Sequence, residues 1–404
     1  MTGKIVVLGS NFAGLTAALS LKHELWDDVE VKVVSPAERF LFTPSLIWVP
    51  FGKRTISRIS FPVAPTLEQH GVEFANEAAT AIDPERKQVT TARGETYDYD
   101  YLVVATGYRN DYDTVPGIGR AGGGHASTIT TPAEAVDAAV AWRRFLDSPG
   151  DVVVGATQGA GCFGAAYEFL FNAAYQLKKA GLHKDVRLTY VTAEPFLGHF
   201  GIGGLPHGEQ LLGMFTRRTG IEVVTGVAMD SVDECRVRLA DGRAVDFRWA
   251  MIVPAFRGAP VVETVPGLAD DKGFVPVRGT YQSEKYDDIY AIGVAAAVQV
   301  PWATAVPVGV PKTGFPTEQQ AHVAARNIAA QFRGEVPQET KEFGEIPAVC
   351  VMDAGNNGVV ILADRMLPPR KHGVLIPGPQ AHAFKLAFER YFLWKNRHGY
   401  VNLP

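Results

Sequence analysis

Short apolar runs broken by glycine-rich turns shape the first half of the chain. Lys4–Leu21 reads as a buried strand, a tight turn and a helix rich in Ala and Leu, and Glu30–Val34 reads as the next strand. A second unit begins with the strand Asp151–Val154, passes through another glycine-rich turn and enters a helix that runs to about Lys179. A strand joined to a helix by such a turn is typical of nucleotide-binding units. The pattern therefore predicts an α/β chain with two of these units.

The rest of the pattern completes both units and leaves a C-terminal region. A helix is predicted from about Thr131 to Asp147, with Pro132 and Glu134 in its first turn. Further strands are expected at Val186–Thr192, Ile221–Val227, Arg236–Leu239 and Trp249–Pro254 and, where the chain rejoins the first unit, at Tyr286–Val294. We predict two Rossmann-like dinucleotide-binding domains of the type found in FAD- or NAD(P)-linked reductases. The boundaries are 1–110 with 270–330, then 111–269, and 331–404 for a C-terminal region with an amphipathic helix.

The first glycine-rich turn matches the phosphate-binding fingerprint at two of its three glycines. Gly9 and Gly14 take the first and third positions, and Asn11 replaces the second glycine. Asn tolerates unusual backbone dihedrals better than most residues do. The acidic residue that usually binds a ribose after the next strand is replaced by Ser35. We predict a dinucleotide site with altered ribose contacts, and a tight turn without a ligand is the alternative.

The stretch Tyr97–Gly107, YDYDYLVVATG, leads into a buried strand that ends in Ala-Thr-Gly. It is similar to the stretch that returns the chain to the FAD domain in two-dinucleotide flavoproteins. Together with the first turn, it favours FAD over NAD. The predicted FAD-binding residues are Gly9, Asn11, Phe12, Ala13, Gly14, Ser35, Pro36, Arg39, Thr43, Pro44, Ala105, Thr106, Gly107, Gly293, Val294, Lys312 and Gly314.

The second glycine-rich turn, within Val152–Glu168, departs further from the fingerprint. With Gly155 as the first glycine, Thr157 and Ala160 stand at the second and third positions, where their side chains would meet a pyrophosphate. Cys162 follows in the first helical turn, where unpaired N–H groups and the helix dipole favour a thiolate. We predict that a dinucleotide site has here become a thiol site.

Composition narrows the function. The chain has 404 residues, 47% of them hydrophobic, so it can bury a large core. The net charge of -4 gives no basic surface for nucleic acid. Because Met1 is followed almost at once by a strand, no signal peptide is expected, and no apolar run is long enough to span a bilayer. Three cysteines far apart in the sequence suit an intracellular chain with a redox-active pair, and no metal site is predicted.

Several stretches together carry a resemblance to one family. They are Val154–Glu168, Glu194–His199, Pro307–Phe315, Pro347–Asp353 and Phe384–Phe392. Over nearly its whole length the chain resembles sulfide:quinone oxidoreductases and the flavoprotein subunits of flavocytochrome c sulfide dehydrogenases. Two features are specific to that branch: the cysteines of GAGCFGAAYE and PAVC, which are Cys162 and Cys350, and the absence of an Asp after the glycine in Ala291–Val294.

The resemblance implies that FAD carries two electrons from sulfide to a quinone. It also implies that Cys162 and Cys350 form a disulfide or sulfur-bridged pair beside the flavin ring. Hydrosulfide would attack one sulfur, one cysteine would hold the persulfide, and the released thiolate, assigned to Cys350, would add to or stack on the flavin. The alternative is that both cysteines are small buried hydrophobic residues.

Three more side chains receive candidate roles. Glu168 is a candidate acid or base for sulfide, with a local cap or ion pair as the alternative. His199 is similar to a family histidine proposed to handle protons near the quinone, and a solvated loop histidine is the alternative. Lys312 is predicted to put a positive charge near flavin N1 and C2=O. The Phe40–Pro44 region has no cysteine for covalent flavin attachment, so FAD is expected to bind non-covalently.

The chain also departs from the family. Many members carry a third cysteine before the second domain, and Ala126–Thr131 has none, which leaves the length of the sulfur product open. Cys235 is expected to be structural. The aromatic and basic residues of His382–Lys395 suit an interfacial helix, and a helix packed on the flavin domain is the alternative. We expect peripheral, monotopic attachment to the cytoplasmic side of the cell membrane, weakened by the short C-terminus.

Two other functions remain open on the sequence. A type II NADH:quinone dehydrogenase shares the architecture but needs a working NAD motif at Gly155. A non-enzymatic flavin and thiol redox sensor would use the cysteines only to report oxidation. The predicted partners are sulfide and a quinone, with membrane contact and no nucleic acid. The oligomeric state stays open, a homo-oligomer included.

Overall fold

The computed structural model describes residues 2–311 and 314–403. The strands in this part of the chain are β1 (Gly3–Leu8), β2 (Val29–Val34), β3 (Arg39–Leu41), β4 (Ser60–Pro62), β5 (Glu73–Ala75), β6 (Ala79–Asp83), β7 (Gln88–Thr91), β8 (Thr96–Asp98), β9 (Tyr101–Val104), β10 (Arg109–Asp111), β11 (Val152–Ala156), β12 (Leu188–Thr192), β13 (Glu222–Val224), β14 (Met229–Val232), β15 (Arg236–Leu239), β16 (Ala244–Asp246), β17 (Trp249–Val253), β18 (Ala255–Arg257), β19 (Ile289–Ala291), β20 (Ala348–Asp353), β21 (Gly358–Ala363) and β22 (Gly373–Pro377). The α-helices are α1 (Phe12–Leu25), α2 (Ala64–Gln69), α3 (Pro132–Asp147), α4 (Phe163–Lys179), α5 (Gly208–Thr219), α6 (Pro260–Glu263), α7 (Gly314–Phe332) and α8 (Pro379–Arg397). Short 3-10 helices cover Trp26–Asp28, Thr43–Trp48, Ile56–Ile59, Arg120–Gly122, Gly293–Ala295 and Phe343–Glu345.

A five-stranded parallel sheet is built around the N-terminal strand. Its order is β19-β9-β1-β2-β5, so the late strand β19 lies at the edge of a sheet made otherwise from the first hundred residues. α1 and α7 pack against each other in the same apolar core as the inner residues of β1 and β2. Because parallel strands run the same way, the turns that follow β1 and β9 lie at one edge of this sheet.

The second unit is a four-stranded parallel sheet with the order β13-β12-β11-β17. Every residue of β11, β12 and β17 is buried, as expected for parallel strands covered on both faces. Helix α3 begins after Thr131, whose hydroxyl accepts a hydrogen bond from the Glu134 N–H at 3.3 Å. These two sheets confirm the predicted α/β class with two Rossmann-like units.

Smaller antiparallel pieces join and extend the two sheets. The two units are joined by β10 and β18, which pair as antiparallel strands. Two three-stranded sheets, β6-β7-β8 and β14-β15-β16, flank the larger ones. The C-terminal region adds the sheet β20-β21-β22 and the long helix α8.

Helix α8 buries charge and exposes aromatic rings. Lys385 and Lys395 are buried, with 5% and 1% of their surfaces exposed, whereas Phe384 and Trp394 are 52% and 46% exposed. These two basic residues of the predicted interfacial helix therefore do not reach a membrane surface, because each is held inside the protein by a glutamate on another helix, α4 or α7. Within residues 2–311 and 314–403, no helix is long and apolar enough to cross a membrane.

Candidate flavin and thiol site

The first glycine-rich turn is shaped by two close backbone approaches. A Cβ atom added at Gly14 would lie 1.9 Å from the Gly9 carbonyl oxygen, so only glycine lets α1 start this close to β1. Gly9 has φ +114°, and a Cβ there would lie 2.2 Å from the carbonyl oxygen of Ala105. These approaches bring the end of β1, the start of α1 and the Ala-Thr-Gly turn after β9 into contact.

The polar atoms of this turn suit a dinucleotide. The N–H groups of Ser10 and Asn11 make no backbone hydrogen bond within the described residues, so they remain free for a phosphate. The Asn11 side chain accepts a hydrogen bond from the Leu41 N–H at 3.2 Å, which ties the turn to β3. The buried Thr106 hydroxyl has no partner among the described residues, as expected of a group that hydrogen-bonds a ligand.

Most of the other predicted FAD residues surround this turn. Ser35 hydrogen-bonds Ser10, and the Asn76 side chain donates to the carbonyls of Ser35 and Pro36. The ideal Cβ positions of Gly293 and Gly314 lie 3.0 Å from Ala13 and from the Phe12 ring. The remaining residues are further from the turn or less constrained: Arg39 donates to Ser60, Thr43 and Pro44 begin a 3-10 helix, Gly107 borders open space, and Val294 lies in the 3-10 helix Gly293–Ala295. Lys312 lies outside the described residues.

The second glycine-rich turn is closed by the protein itself. The N–H groups of Thr157, Gly159 and Gly161 donate to the carbonyl oxygens of Val253, Pro307 and Pro254 at 3.1, 2.9 and 3.2 Å. The space that a Cβ of Gly161 would take holds the ring of Phe256, which stacks on Tyr108 with a centroid distance of 3.7 Å. Backbone N–H groups that already have partners cannot bind a pyrophosphate, which argues against NAD at this turn.

Cys162 is the N-cap residue of α4, one position before the helix. Burial raises the pKa of its thiol, and the N–H groups of Ala165 and Gly164 offset only part of this effect. The expectation that the helix N-terminus favours a thiolate is therefore wrong for the free thiol, because desolvation of the charged form outweighs the dipole. At neutral pH this thiol is protonated.

Cys350 projects from β20, where it pairs with Ile361 of β21. Its side chain is exposed, yet the surrounding protein raises its pKa to about 12 by desolvation. Both observations hold if the thiol faces a recess inside the molecule instead of the outer surface. The next contributions to this pKa come from the charges of Glu168, Lys385 and Cys162, so these four side chains lie close together. We call Cys162, Cys350, Glu168 and Lys385 the thiol cluster.

Glu168 lies on α4 and is buried. Its Oε1 accepts the Asp353 N–H at 2.9 Å, and the Lys385 ammonium lies 3.0 Å from Oε1 and 3.1 Å from Oε2. Burial raises the pKa of Glu168 to about 7, although the Lys385 charge lowers it. A carboxyl group with this pKa can both give and take a proton near neutral pH.

Polar residues that the sequence did not assign support this cluster. The buried Asp353 accepts hydrogen bonds from the Trp48 indole at 2.8 Å and from His382 Nδ1 at 2.7 Å. The Asn172 side chain donates to the carbonyl oxygens of Glu168 and Asp353, which joins α4 to β20. The only sequence signal for this support was Asp353, a single acidic residue at the end of the apolar run PAVCVMD. Its partners could not be predicted because they are distant in the sequence.

His199 lies in the loop after β12, at the same edge of the second sheet as the turn with Cys162. Its ring meets the edge of Trp302 at 5.0 Å and 90°, and its Nδ1 has no hydrogen-bond partner among the described residues. Burial, and after it the charge of Arg370, lower its pKa to about 4. It is therefore a buried neutral imidazole, not a solvated one. Cys235, by contrast, is exposed just before β15.

The two dinucleotide-type units, one with an open turn and one with a thiol, define a two-dinucleotide flavoprotein. Residues 3–326 match the family described as pyridine nucleotide-disulphide oxidoreductase. The chain is 35% identical to the sulfide-quinone reductase of Aquifex aeolicus over 99% of this chain and 93% of the other. The crystal structure of the Aquifex aeolicus sulfide:quinone oxidoreductase superposes with a TM-score of 0.93, at 34% identity, covering 98% of this chain and 92% of that one.

A more distant relative has a different electron donor in its name. The type II NADH:quinone oxidoreductase of Staphylococcus aureus is 25% identical over 91% of this chain and 92% of its own length. The chain belongs to the sulfide-quinone reductases, a branch of the pyridine nucleotide-disulphide oxidoreductases. It is thus an oxidoreductase with FAD as its cofactor, and the predicted family and cofactor are confirmed.

Proposed function

We propose that this chain oxidises hydrogen sulfide to zero-valent sulfur or polysulfide and passes two electrons to a membrane quinone. The observation that carries the proposal is the thiol cluster, in which the buried carboxyl group of Glu168 lies close enough to Cys162 and to Cys350 to raise the pKa of both thiols. The catalytic residues of the proposed reaction are Cys162, Cys350 and Glu168 of this cluster and, outside it, His199. Bound FAD, held non-covalently at the first turn, supplies the two-electron acceptor that thiols lack.

Cys162 and Cys350 are free thiols in this structure, and the first step of the proposed reaction is a thiol–disulfide exchange on their oxidised, disulfide-bonded form. The hydrosulfide sulfur forms a bond with Cys162, and the bond between the sulfurs of Cys162 and Cys350 breaks. The incoming sulfur becomes a persulfide, and the electron pair of the broken bond leaves on Cys350 as a thiolate. No electrons leave the protein in this step, because the persulfide on Cys162 and the thiolate of Cys350 together retain the two electrons that hydrosulfide donates.

Glu168 handles protons for this exchange. A carboxyl group with a pKa of about 7 is partly protonated at neutral pH, so it can take the proton of incoming hydrogen sulfide and return one to a buried thiolate. The Lys385 ammonium holds the carboxylate in one orientation through contacts at 3.0 and 3.1 Å. His199 stays a candidate for quinone protonation. As a neutral imidazole it would accept a proton at one ring nitrogen and release a proton from the other.

The closed second turn disfavours NADH as the electron donor. The carbonyl oxygen of Pro307 takes the Gly159 N–H, and the Phe256 ring fills the space beside Gly161. A type II NADH:quinone dehydrogenase would need these positions open to a pyrophosphate. A redox sensor without turnover would not need Glu168 at a pKa of about 7.

Membrane contact is proposed through an apolar surface of the C-terminal region. Leu362, Val374 and Ile376 are exposed on one face of the β20-β21-β22 sheet, because Leu362 pairs with Val374 and Ile376 follows two positions on. Phe384 and Trp394 are exposed on α8. Aromatic and aliphatic side chains of this kind partition into the headgroup boundary. We propose peripheral attachment to the cytoplasmic side of the membrane, where the quinone is available.

The cysteine roles are tested by three single substitutions. Cys162→Ser and Cys350→Ser should each stop the loss of flavin absorbance when sulfide is added without oxygen, because with a hydroxyl at either position the disulfide that hydrosulfide attacks cannot form. Cys235→Ser, at an exposed cysteine, is the matched control and should behave as the wild type. FAD content, measured after denaturation, should be equal in all four proteins. Sulfide-dependent reduction that persists in either variant removes that cysteine from the mechanism.

A further inference from the structure

A recess of about 750 Å³ lies at the edge of the second sheet, and of the residues in its wall the steps above use only His199. Its walls are largely apolar and include Phe196, Trp302, Pro301 and the pair Pro368 and Pro369. His199 also contributes to its wall. Three separate loops, those after β12, before α7 and between β21 and β22, form this recess.

Two buried polar atoms at this recess lack partners among the described residues. They are Nδ1 of His199, a residue with only 3% of its surface exposed, and Nε1 of Trp302. An indole N–H is only a donor, and a neutral imidazole nitrogen can also carry a hydrogen. Buried polar groups normally have a hydrogen-bond partner. That these two atoms have none among the described residues points to a ligand that accepts hydrogen bonds.

A positive charge lies behind the same wall. The Arg370 guanidinium donates to the carbonyl oxygens of Gly204 at 2.8 Å, Ile202 at 2.5 Å and Arg365 at 2.7 Å, and also to Met366. It has no ion pair within the described part of the chain. The carboxylate of Asp364, which raises the pKa of Arg370, accepts hydrogen bonds from the N–H groups of Lys371 and His372.

The recess adjoins α4, the helix that Cys162 caps. The Gly198 N–H, in the same loop as His199, donates to the Tyr167 hydroxyl of α4 at 2.8 Å. On the other side, a Cβ added at Gly309 would lie 2.4 Å from the carbonyl oxygen of Ala160. Two of the loops that form the recess therefore pack directly on the segment that carries the thiol.

We propose that this recess binds the anionic polysulfide released from Cys162. In that release a second hydrosulfide bonds to the outer sulfur of the persulfide, the bond from that sulfur to Cys162 breaks, and its electron pair stays on Cys162 as a thiolate. Apolar and aromatic walls exclude strongly hydrated anions, while the guanidinium charge and the unpaired indole N–H of Trp302 favour a negative ligand. A sulfur chain with charged ends meets both demands, since it is polarizable along its length and anionic at its termini. This inference rests on the proposed function, because only sulfide oxidation supplies such a chain.

Binding of inorganic tetrasulfide to the FAD-loaded protein tests this inference. The double variant Cys162→Ser with Cys350→Ser removes thiol exchange, and anaerobic calorimetry then measures binding alone. We expect one site per chain. Adding Trp302→Phe, which removes the N–H and keeps an aromatic ring, should weaken binding by about tenfold. Ala303→Trp, which fills the recess, should abolish it, and Trp26→Phe, at a distant exposed tryptophan, should change nothing.

Sulfate separates a soft-anion site from a general anion site. Sulfate at equal concentration should not displace tetrasulfide, because it is strongly hydrated. Absence of tetrasulfide binding, equal competition by sulfate, or unchanged affinity in both Trp302→Phe and Ala303→Trp would each overturn the inference. Failure of the proposed function is a separate result, seen when sulfide does not reduce the flavin of the wild-type protein.

Discussion

At the residue scale, the protonation state of Glu168 depends on charged and titratable groups from several elements that surround the two thiols. The titratable groups that affect it or share its cluster are Lys385 from α8, Asp353 and Cys350 from β20, and Cys162 at the N-cap of α4. Lys53 also lies near, with its ammonium 4.0 Å from Asp353. Burial favours the protonated carboxyl group and Lys385 favours the carboxylate, and the balance gives a pKa of about 7.

Replacing Lys385 should shift this balance in a known direction. In Lys385→Met the carboxylate loses its ammonium partner while remaining buried, so the pKa of Glu168 should rise by about one pH unit or more. The carboxyl infrared band that disappears in Glu168→Gln reports this titration directly. The pH midpoint of sulfide-dependent flavin reduction should rise by the same amount.

A charge-retaining variant controls for damage to the fold. Lys385→Arg keeps the positive charge and should keep the midpoint of the Glu168 titration close to that of the wild type. An unchanged midpoint in Lys385→Met, with the infrared band still present, would mean that Lys385 does not set the charge of Glu168.

Residues with a local sequence signal were the predictable ones. Gly9 and Gly14 are fixed by contacts between neighbouring segments, and Cys162 follows a recognisable strand and turn. The thiol pKa was not predictable, because it depends on how much protein surrounds the sulfur, and that quantity has no local pattern. The assignments of the individual site residues stay predictions until the substitutions are made.

Helix α8 connects the thiol cluster, the first sheet and the exposed apolar surface at the scale of elements. Lys385 reaches Glu168 on α4, and Lys395 reaches Glu318 on α7 at 2.8 Å. Apolar residues occupy nearly every side of His382–Lys395, so periodicity alone could not tell which face is buried. The glutamate partners lie far away in the sequence, and the direction of both lysines was therefore unpredictable.

The buried pair of Lys395 and Glu318 should stabilise the docking of α8. Lys395→Met leaves Glu318 buried without its ammonium, and loss of one partner of a buried pair costs about 3 kcal/mol or more of unfolding free energy. Urea denaturation measures the change. Arg390→Met, on the exposed side of the same helix, is the control and should cost less than about 0.5 kcal/mol. Equal stability of the two variants would contradict this anchoring role.

The exposed rings of α8 should control membrane contact. Phe384→Ser combined with Trp394→Ser removes two large exposed apolar side chains and should reduce binding to phosphatidylglycerol-containing vesicles by about tenfold or more. Co-sedimentation measures the bound fraction. Trp26→Ser removes an even more exposed tryptophan elsewhere and should leave binding unchanged. If the double variant sediments with vesicles as the wild type does, the membrane surface lies elsewhere.

At the scale of the whole molecule, the two parallel sheets present different turns to their ligands. The turn after β1 keeps free N–H groups, whereas the turn after β11 has its N–H groups bonded to the protein's own carbonyl oxygens. The α/β class and the return of the chain through β19 followed from apolar runs and glycine positions. The segment around Pro307, which closes the second turn, could not be predicted from the sequence. A hydrogen bond to a carbonyl oxygen in a distant loop leaves no pattern in the sequence of either loop. The domain boundaries stay a prediction.

The central claim is that sulfide, and not NADH, reduces the flavin of this protein and that a quinone reoxidises it. An anaerobic titration of the wild-type holoenzyme, followed by flavin absorbance, tests this most directly. One equivalent of sulfide should bleach the flavin, a soluble quinone should restore the absorbance, and excess NADH should have no effect. Bleaching by NADH without bleaching by sulfide would contradict the account, and it would indicate that the turn beside Cys162 opens to a nicotinamide dinucleotide.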